Sequence, residues 1–326
     1  MADEKFRIWD AYWHDSRIYS AGVDADPAIS QTLDQQWGLL ARVMPDGARV
    51  LDVACGNGAV GLAMVRANKD GGPNLSITGI DSAAIDPPRF VTEHADLLRT
   101  ISFRPMVKME SLPFEDDSFD VVVSQFGLEY GSPREALTEA VRVLRSHGLL
   151  TLLCLPARSA AIHAANKGLK QCKHLLRDAP LFDIAMNATQ QLHQALAAGM
   201  DDGGPILAPF NTEVERIVRK FGNDECDVVF AIVLGLQKVF IDRKTASLED
   251  QIKAIQLLRT RLAEYAARAQ ALTRAALTDS DLEELKRNIA SVGFKLTEVK
   301  PILVGAYGTV AWRVAAERLA RPALPN

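Results

Sequence analysis

Cysteine is scarce in this 326-residue chain. The four present, Cys55, Cys154, Cys172 and Cys226, are scattered and form no CxxC pair, which excludes a disulfide framework or a thiolate zinc site and leaves buried free thiols as the expectation. Six histidines lack metal spacing, so no metal is expected. A basic excess is also missing. With a net charge of −4 and interspersed signs, the footprint of a phosphate-neutralising surface is absent and no nucleic acid partner is expected. The longest apolar run, Val228 to Leu236, is interrupted by Gly235 and followed by Gln237 and Lys238, far short of the roughly 20 residues of a membrane span. The opening stretch MADEKFRIWDAYWHD lacks the basic start, apolar middle and small-residue cleavage site of an export signal, so a cytoplasmic location is expected. There is no G-x-S-x-G elbow and no P-loop, and hence no visible machinery for acyl or phosphoryl transfer.

What is present is enough apolar sequence, 48%, to bury a sizeable core in one large domain or two smaller ones. Residues 48–155 alternate short apolar runs with helical patterns. Ala48 to Val53, Leu75 to Ile80, Arg104 to Met109, Phe119 to Ser124 and Leu149 to Leu155 read as strands, and Ser132-Pro133-Arg134-Glu135 as a capped helix start running to about Arg145. From Pro156 to Val292 the pattern is helical throughout: Ser159 to Arg177, Leu181 to Ala198, Thr212 to Phe221, Glu225 to Ile241 and Leu248 to Leu277, with a loop over Gly199 to Pro205. Ser247 with Asp250, and Ser280 with Glu283, mark helix starts. Phe294 to Val304 and Tyr307 to Val314 are two more strands, joined too closely for a crossover and therefore antiparallel.

The expected fold class is α/β, a doubly wound, mostly parallel Rossmann-like sheet of seven strands with a reversed last strand and a large helical insert. The expected division is a helical lid over 1–47, a cofactor-binding core over 48–155, a helical cap over 156–292, the last two strands of the core over 293–316 and a tail over 317–326, with disorder expected from Arg321 to Asn326.

The stretch Asp52-Val53-Ala54-Cys55-Gly56-Asn57-Gly58-Ala59-Val60-Gly61 follows the first strand and contains the literal G-x-G-x-x-G spacing of a dinucleotide loop. A glycine turn between strand and helix brings backbone close to a ligand at a helix N-terminus. The pyrophosphate of a dinucleotide, however, would be repelled by Asp52, by roughly a few kcal/mol at intermediate dielectric. A carboxylate there suits a ligand carrying positive charge. Asp81, 29 residues on (81 − 52), can accept two hydrogen bonds from ribose hydroxyls in either kind of site.

Asp52 to Gly58 resembles the first motif of class I S-adenosylmethionine-dependent methyltransferases, an acid, any residue, then G-x-G-x-G, with Ala54 where the first glycine stands. Ser111-Leu112-Pro113-Phe114-Glu115-Asp116-Asp117-Ser118-Phe119-Asp120-Val121-Val122 and Glu139-Ala140-Val141-Arg142-Val143-Leu144-Arg145 resemble segments of the small-molecule members that include quinone and sterol C-methyltransferases. The family continues with proline-glycine-glycine where this chain has Ser146-His147-Gly148, and the resemblance covers roughly 48–155 and more loosely 282–314. It implies S-adenosyl-L-methionine as cofactor and methyl transfer to a small-molecule substrate held under the helical cap. Two other readings remain open: a protein that binds this cofactor without transferring the methyl group, and an NAD(P)-dependent oxidoreductase.

Under the resemblance the cofactor contacts are Asp52, Ala54, Cys55, Gly56, Asn57, Gly58, Asp81, Ser82, Ser124 and Gln125, and Gly61 becomes a packing glycine of the following helix. An aspartate that binds the adenine amino group in the family is replaced by Lys108, so the base is expected on backbone groups near Met109 and Glu110, with Glu110 as the other acceptor. Tyr12, Trp13, Arg17 and Tyr19 stand in an aromatic segment that either folds over the cofactor or packs as an amphipathic helix on the sheet. No catalytic constellation stands out, and in-line positioning with desolvation suffices for an acceptor that is already nucleophilic. The candidates are Glu129 and Tyr130 after the fourth strand and His163 in the first inserted helix, each with a bland alternative: a solvated helix start for Glu129, a structural role for His163. Val228 to Leu234 suits a helix-bundle core, a hydrophobic pocket or a homodimer interface.

Overall fold

The computed structural model describes residues 4–320, apart from 24–25, 70, 201–202, 223 and 225–226 and the side chains of 4–7. The expected disordered end, Arg321 to Asn326, lies outside these residues, as do Glu225 and Cys226. Seven strands form one sheet in the order β3-β2-β1-β4-β5-β7-β6. They are β1 (Arg49–Val53), β2 (Ser76–Ile80), β3 (Ser102–Arg104), β4 (Phe119–Gln125), β5 (Leu144–Cys154), β6 (Phe294–Val304) and β7 (Gly308–Arg318). The first five are parallel. β7 runs antiparallel to both β5 and β6, as the short connection required.

Helices cover both faces. On one side α2 (Pro27–Arg42) and α3 (Ala59–Lys69) bury Leu33, Trp37, Leu62 and Met64 against Val50, Val121 and Leu153. On the other, α6 (Pro133–Val143) and α12 (Asp279–Ser291) bury Leu137, Leu282 and Leu285 against Leu51, Val122 and Leu152. Successive side chains of β1 and β4 thus feed opposite cores, which is why Val50-Leu51 and Val121-Val122-Val123 are continuous apolar runs rather than alternating. α1 (Glu4–Trp13) precedes this scaffold, and two short turns, α4 (Pro87–Phe90) and α5 (Ala95–Leu98), lie between β2 and β3.

The chain divides into two compact units, one reaching to His163 and resuming at Leu272, the other spanning Ala164–Ala271. The excursion contains α7 (Ala160–Lys173), ending in a π-helical turn over His174–Asp178, then α8 (Leu181–Ala197), α9 (Gly204–Phe221), α10 (Val228–Ile241) and α11 (Leu248–Ala275). Its own core includes Phe182, Phe210, Ile217 and Leu236. Val229, Ile232 and Val233 of the apolar stretch are buried in that core, while Leu234 is exposed. At the foot of the excursion Leu277 N–H donates to Leu155 O and Ala157 N–H to Leu277 O, each at 2.8 Å, forming a parallel bridge that brings entry and exit together. Among the described residues, no helix is long and apolar enough to cross a membrane, and no group of three or more His, Cys, Asp and Glu could hold a metal ion.

Several local expectations are corrected. The third strand ends at Arg104 rather than Met109, because Pro105 and the left-handed Met106 (φ 60°) turn the chain away. The expected loop over Gly199 to Pro205 is shorter, since α9 begins at Gly204 with Pro205 in its first turn, a position where proline is pre-organised. The cap of α12 is Thr278 with Asp281 rather than Ser280 with Glu283. At α6, Ser132 makes no side-chain cap bond, and its N–H donates instead to Glu110 Oε1 at 2.9 Å.

Arg142 fastens the segment before β4. Its guanidinium donates to Glu139 Oε1 (2.7 Å), to the carbonyls of Leu112 (2.9 Å) and Phe114 (2.7 Å), and to Asp116 (3.1 Å). Arg142→Ala is expected to destabilise the sheet-bearing unit by about 2–3 kcal/mol in chemical denaturation, the scale of leaving charged and buried acceptors unmet. Arg142→Lys should recover little of this, because one ammonium cannot span the fork.

Candidate functional site

The order of the sheet reverses between β1 and β4, and a crevice opens there at the carboxyl ends of the strands. The chain leaves β1 through a turn in which alternate residues are left-handed: Ala54 at φ 56°, Gly56 at 51° and Gly58 at 83°. The demand for glycine therefore falls at intervals of two. Gly61 lies inside α3, where a Cβ would stand 2.8 Å from Ile101 Cδ1, so close packing rather than backbone shape selects it. Ala54 adopts the strained conformation with a side chain, and the fold makes room for it opposite. A Cβ on Gly127 would stand 2.5 Å from the Ala54 Cβ.

Two carboxylates lie at the ends of adjacent strands. Asp52 is 1% exposed on β1, and neither of its oxygens has a hydrogen-bond partner. The Gly61 amide favours its charge only in part, so burial, reinforced by the charge of Asp81, holds its pKa well above the ordinary range. Asp81, just past β2, accepts from Gly56 N–H and Ala83 N–H at 2.8 Å each, which fastens it to the glycine turn. Burial outweighs these bonds and pushes it up to about 6. Buried acids with too few donors and no cation make a site that favours positive charge.

Both border a cavity of ≈ 300 Å³, of the size ligand pockets occupy. Of the expected contacts, Asp52, Ala54, Cys55, Asp81, Ser82, Met109, Glu110, Gln125, Trp13 and Tyr19 line it, as does Tyr130. Gly56 and Gly58 shape the turn from behind: a Cβ on Gly56 would strike the Trp13 ring at 2.3 Å, and one on Gly58 the Phe103 ring at 2.7 Å.

Other expected residues serve as supports rather than as lining. Asn57 is fully buried and donates from Nδ2 to the carbonyls of Trp13 (2.8 Å) and Arg17 (2.6 Å), so it ties the N-terminal segment to the turn. Ser124 Oγ donates to Val53 O at 2.8 Å and joins β4 to β1. Tyr12 donates to Tyr19 O at 2.9 Å, and Arg17 stacks over the Tyr12 ring at 5.2 Å. His163 is exposed on α7, its ring bonded to Ser159 O at 2.9 Å, outside the lining. Glu129 is likewise outside it: its Oε1 accepts from Leu155 N–H at 2.8 Å.

The aromatic segment does two things at once. Trp13 is 7% exposed, packs with Cys55, Ala83 and Ile85, and still faces the cavity beside Trp9. Trp9 meets Tyr130 edge to face at 5.3 Å, closing the wall across from the glycine turn. Sequence reasoning missed Trp9, Ile18, Ser20, Val107, Phe126, Gly127, Gly131 and Ser132 in the lining, together with Ala59 and Val60 at the start of α3. One legible signal existed for the glycine at 127: an alanine in a left-handed turn needs a neighbour without a side chain. Lys108, where the resemblance expects an aspartate, is exposed at the cavity margin.

Comparison with known proteins agrees with this geometry. Residues 50–148 match the family model described as "Methyltransferase domain". The matched stretch runs from β1 into β5 and makes up less than a third of the chain. The chain is 32% identical over 111 residues to the ubiquinone/menaquinone biosynthesis C-methyltransferase UbiE of Rickettsia bellii, covering 33% of this chain and 44% of that one. It is 29% identical over 155 residues to the 27-O-demethylrifamycin SV methyltransferase of Amycolatopsis mediterranei, covering 47% and 54%. The chain thus spans about half the length of the curated relatives it matches. Among solved structures, a SAM-dependent methyltransferase from Thermotoga maritima, titled a possible histamine N-methyltransferase, aligns over 96% of this chain and 99% of that one at 13% identity with a TM-score of 0.43.

The turn after β1 offers a direct test of its strain. Ala54→Gly is expected to raise stability by about 1 kcal/mol, since a side chain in the left-handed region costs about 1–2 kcal/mol. Gly127→Ala should lower it, and Ala54→Gly should rescue much of that loss. Thermal melts of the two single variants and the double variant measure this coupling, and simple additivity would show that the two side chains do not meet.

Proposed function

We propose that the protein transfers a methyl group from S-adenosylmethionine to a small organic molecule. The observation that carries this reading is the pair of buried carboxylates, Asp52 and Asp81, beside a cavity at the turn with left-handed residues at 54, 56 and 58. A nucleotide bearing a cation fits them, whereas a pyrophosphate would meet unneutralised negative charge. Asp52 would face the ammonium end of the ligand. Asp81 retains lone pairs for ribose hydroxyls while holding Gly56 and Ala83. Met109 and the backbone beside it would hold the base, and Trp13 would cover the ligand, pinned there by Asn57. S-adenosylmethionine supplies a methyl group already activated on a sulfonium, so the protein's part is to bind, align and exclude water.

Calorimetry tests the reading: S-adenosylhomocysteine is expected to bind and NADH is not. NADH binding alone would overturn the proposal, while binding of neither favours a scaffold in which Ala54 and Lys108 have cost the site its ligand. Asp81→Ala should weaken S-adenosylhomocysteine binding by at least about tenfold, the loss of a charge-assisted hydrogen bond. An unchanged affinity would place the ribose elsewhere.

Proton linkage supplies a further check. In the unfolded chain Asp81 ionises near 3.8, and in the fold at about 6. The folded protein therefore holds the extra proton between these values, and the stability this confers is present at low pH and lost as pH rises through about 6. A ligand ammonium beside Asp52 and Asp81 favours their ionised forms, so at pH 5.5 to 6 binding should release protons. The release is read from the dependence of the calorimetric enthalpy on the buffer's ionisation enthalpy, and no dependence on buffer would sink the assignment of these acids to the ligand's cationic end.

A further inference from the structure

In the segment that follows β4, Glu129 carries a side-chain hydrogen bond to the residue just past β5. Its Oε1 accepts from Leu155 N–H at 2.8 Å, and its Oε2 is enclosed with no hydrogen-bond partner. Leu155 is itself half of the stem of the helical unit, because its carbonyl accepts from Leu277 N–H at 2.8 Å and Leu277 O accepts from Ala157 N–H at 2.8 Å. On the other side of Glu129, the next residues, Tyr130, Gly131 and Ser132, line the cavity, and Ser132 N–H is held by Glu110 Oε1 at 2.9 Å. A continuous run of short hydrogen bonds and covalent links therefore leads from the cavity wall at Glu110 and Ser132, through Glu129, to the two chain crossings at Leu155 and Leu277.

We propose that Glu129 is a positioning residue that ties the wall of the ligand cavity to the stem of the helical unit, so that ligand binding in the cavity and closure of the stem stabilise each other. The coupling rests on the methyl-donor reading of the cavity only for the identity of the ligand, since the hydrogen bonds exist without it. The stem bounds a unit of more than a hundred residues, and Leu155, Ala157 and Leu277 bring its entry and exit together in this bridge. A clamp at that place fixes where the chain leaves and returns to the sheet.

The carboxyl group also gives the clamp a dependence on pH. Its charge is felt by the Cys154 thiol of β5 and the neighbouring Tyr130 phenol, both pushed up by burial and then by this carboxylate, and both neutral at pH 7. Backbone amides of Glu129, Leu155 and Gly127 favour its ionised form, but burial dominates and brings it up to about 7. The carboxylate, the better acceptor for Leu155 N–H, forms as pH rises through that value, while its uncompensated burial lowers folding stability over the same interval.

Hydrogen exchange followed by mass spectrometry tests the link, using peptides that contain residues 153–158 and 275–279, with S-adenosylhomocysteine as the probe ligand. In the unaltered protein, the ligand is expected to slow exchange in both peptides. Glu129→Ala should speed their exchange without ligand, reduce S-adenosylhomocysteine affinity by about tenfold, the scale of one lost buried hydrogen bond, and uncouple stem protection from binding. Glu129→Gln keeps an acceptor for Leu155, and should restore most of the affinity while removing its dependence on pH around 7. If Glu129→Ala leaves stem exchange and affinity as they were, or if the stem still follows the ligand in that variant, the proposal is overturned. If the unaltered protein ignores S-adenosylhomocysteine, the methyl-donor reading fails by itself, and the exchange rates of Glu129→Ala and the parent without ligand still decide whether Glu129 holds the stem.

Discussion

Burying Asp52 and Asp81 side by side, with no cation between them, is the constraint around which the rest of the cavity is arranged. Desolvation opposes their charge, and the backbone amides of Gly56, Ser82 and Ala83 answer it at Asp81 only in part. At Asp52 the Gly61 amide favours the charge, yet neither oxygen meets a partner at ordinary hydrogen-bond distance. A fold that merely needed to be stable would place an apolar side chain at Asp52, as it does at Val50, Leu51 and Val53 of the same strand. Two buried acids at the point where the sheet order reverses are the feature on which the proposed cationic ligand rests.

The turn that presents these acids is equally specific. Left-handed backbone at alternate positions lets the amide of Gly56 point at Asp81 and starts α3 directly behind it. Glycine is the natural residue at each such position, and this chain departs from that at Ala54. The departure is compensated at Gly127, a residue 73 positions away (127 − 54), whose missing side chain leaves the space that Ala54 fills. Trp13 closes the other side of the turn, held by Asn57, so with Trp9 it forms the cavity wall as fully as the strand ends do.

The topology, the reversed last strand and the helical excursion were legible in the sequence because each rests on local regularities: apolar runs of strand length, helical periodicity, and a connection between β6 and β7 too short for a crossover. The acids and the glycine turn were legible for the same reason, being contiguous. Where expectation failed, a local signal was present but outweighed. Arg104 to Met109 has strand-like composition, yet Pro105 and Met106 bend it away. Ser280 with Glu283 imitates a cap, but Thr278 with Asp281 stands two residues earlier and closes both bonds of the box.

By itself the sequence determined which residues carry charge at the strand ends, where glycine is required and where the sheet is interrupted, since these follow from composition and spacing along the chain. Only the tertiary structure decided which of those residues line the cavity. Asn57 and Ser124 stand within the motif segments yet spend their hydrogen bonds on Trp13, Arg17 and Val53, whereas Trp9, Gly127 and Ser132 reach the cavity from separate elements. Glu129 shows the same division. Its position after β4 is written in the chain, but its role depends on meeting the Leu155 amide 26 residues away, where β5 ends and the helical unit begins. Hydrogen-bond partners distant in sequence are chosen by how the layers pack, and no local pattern encodes that choice.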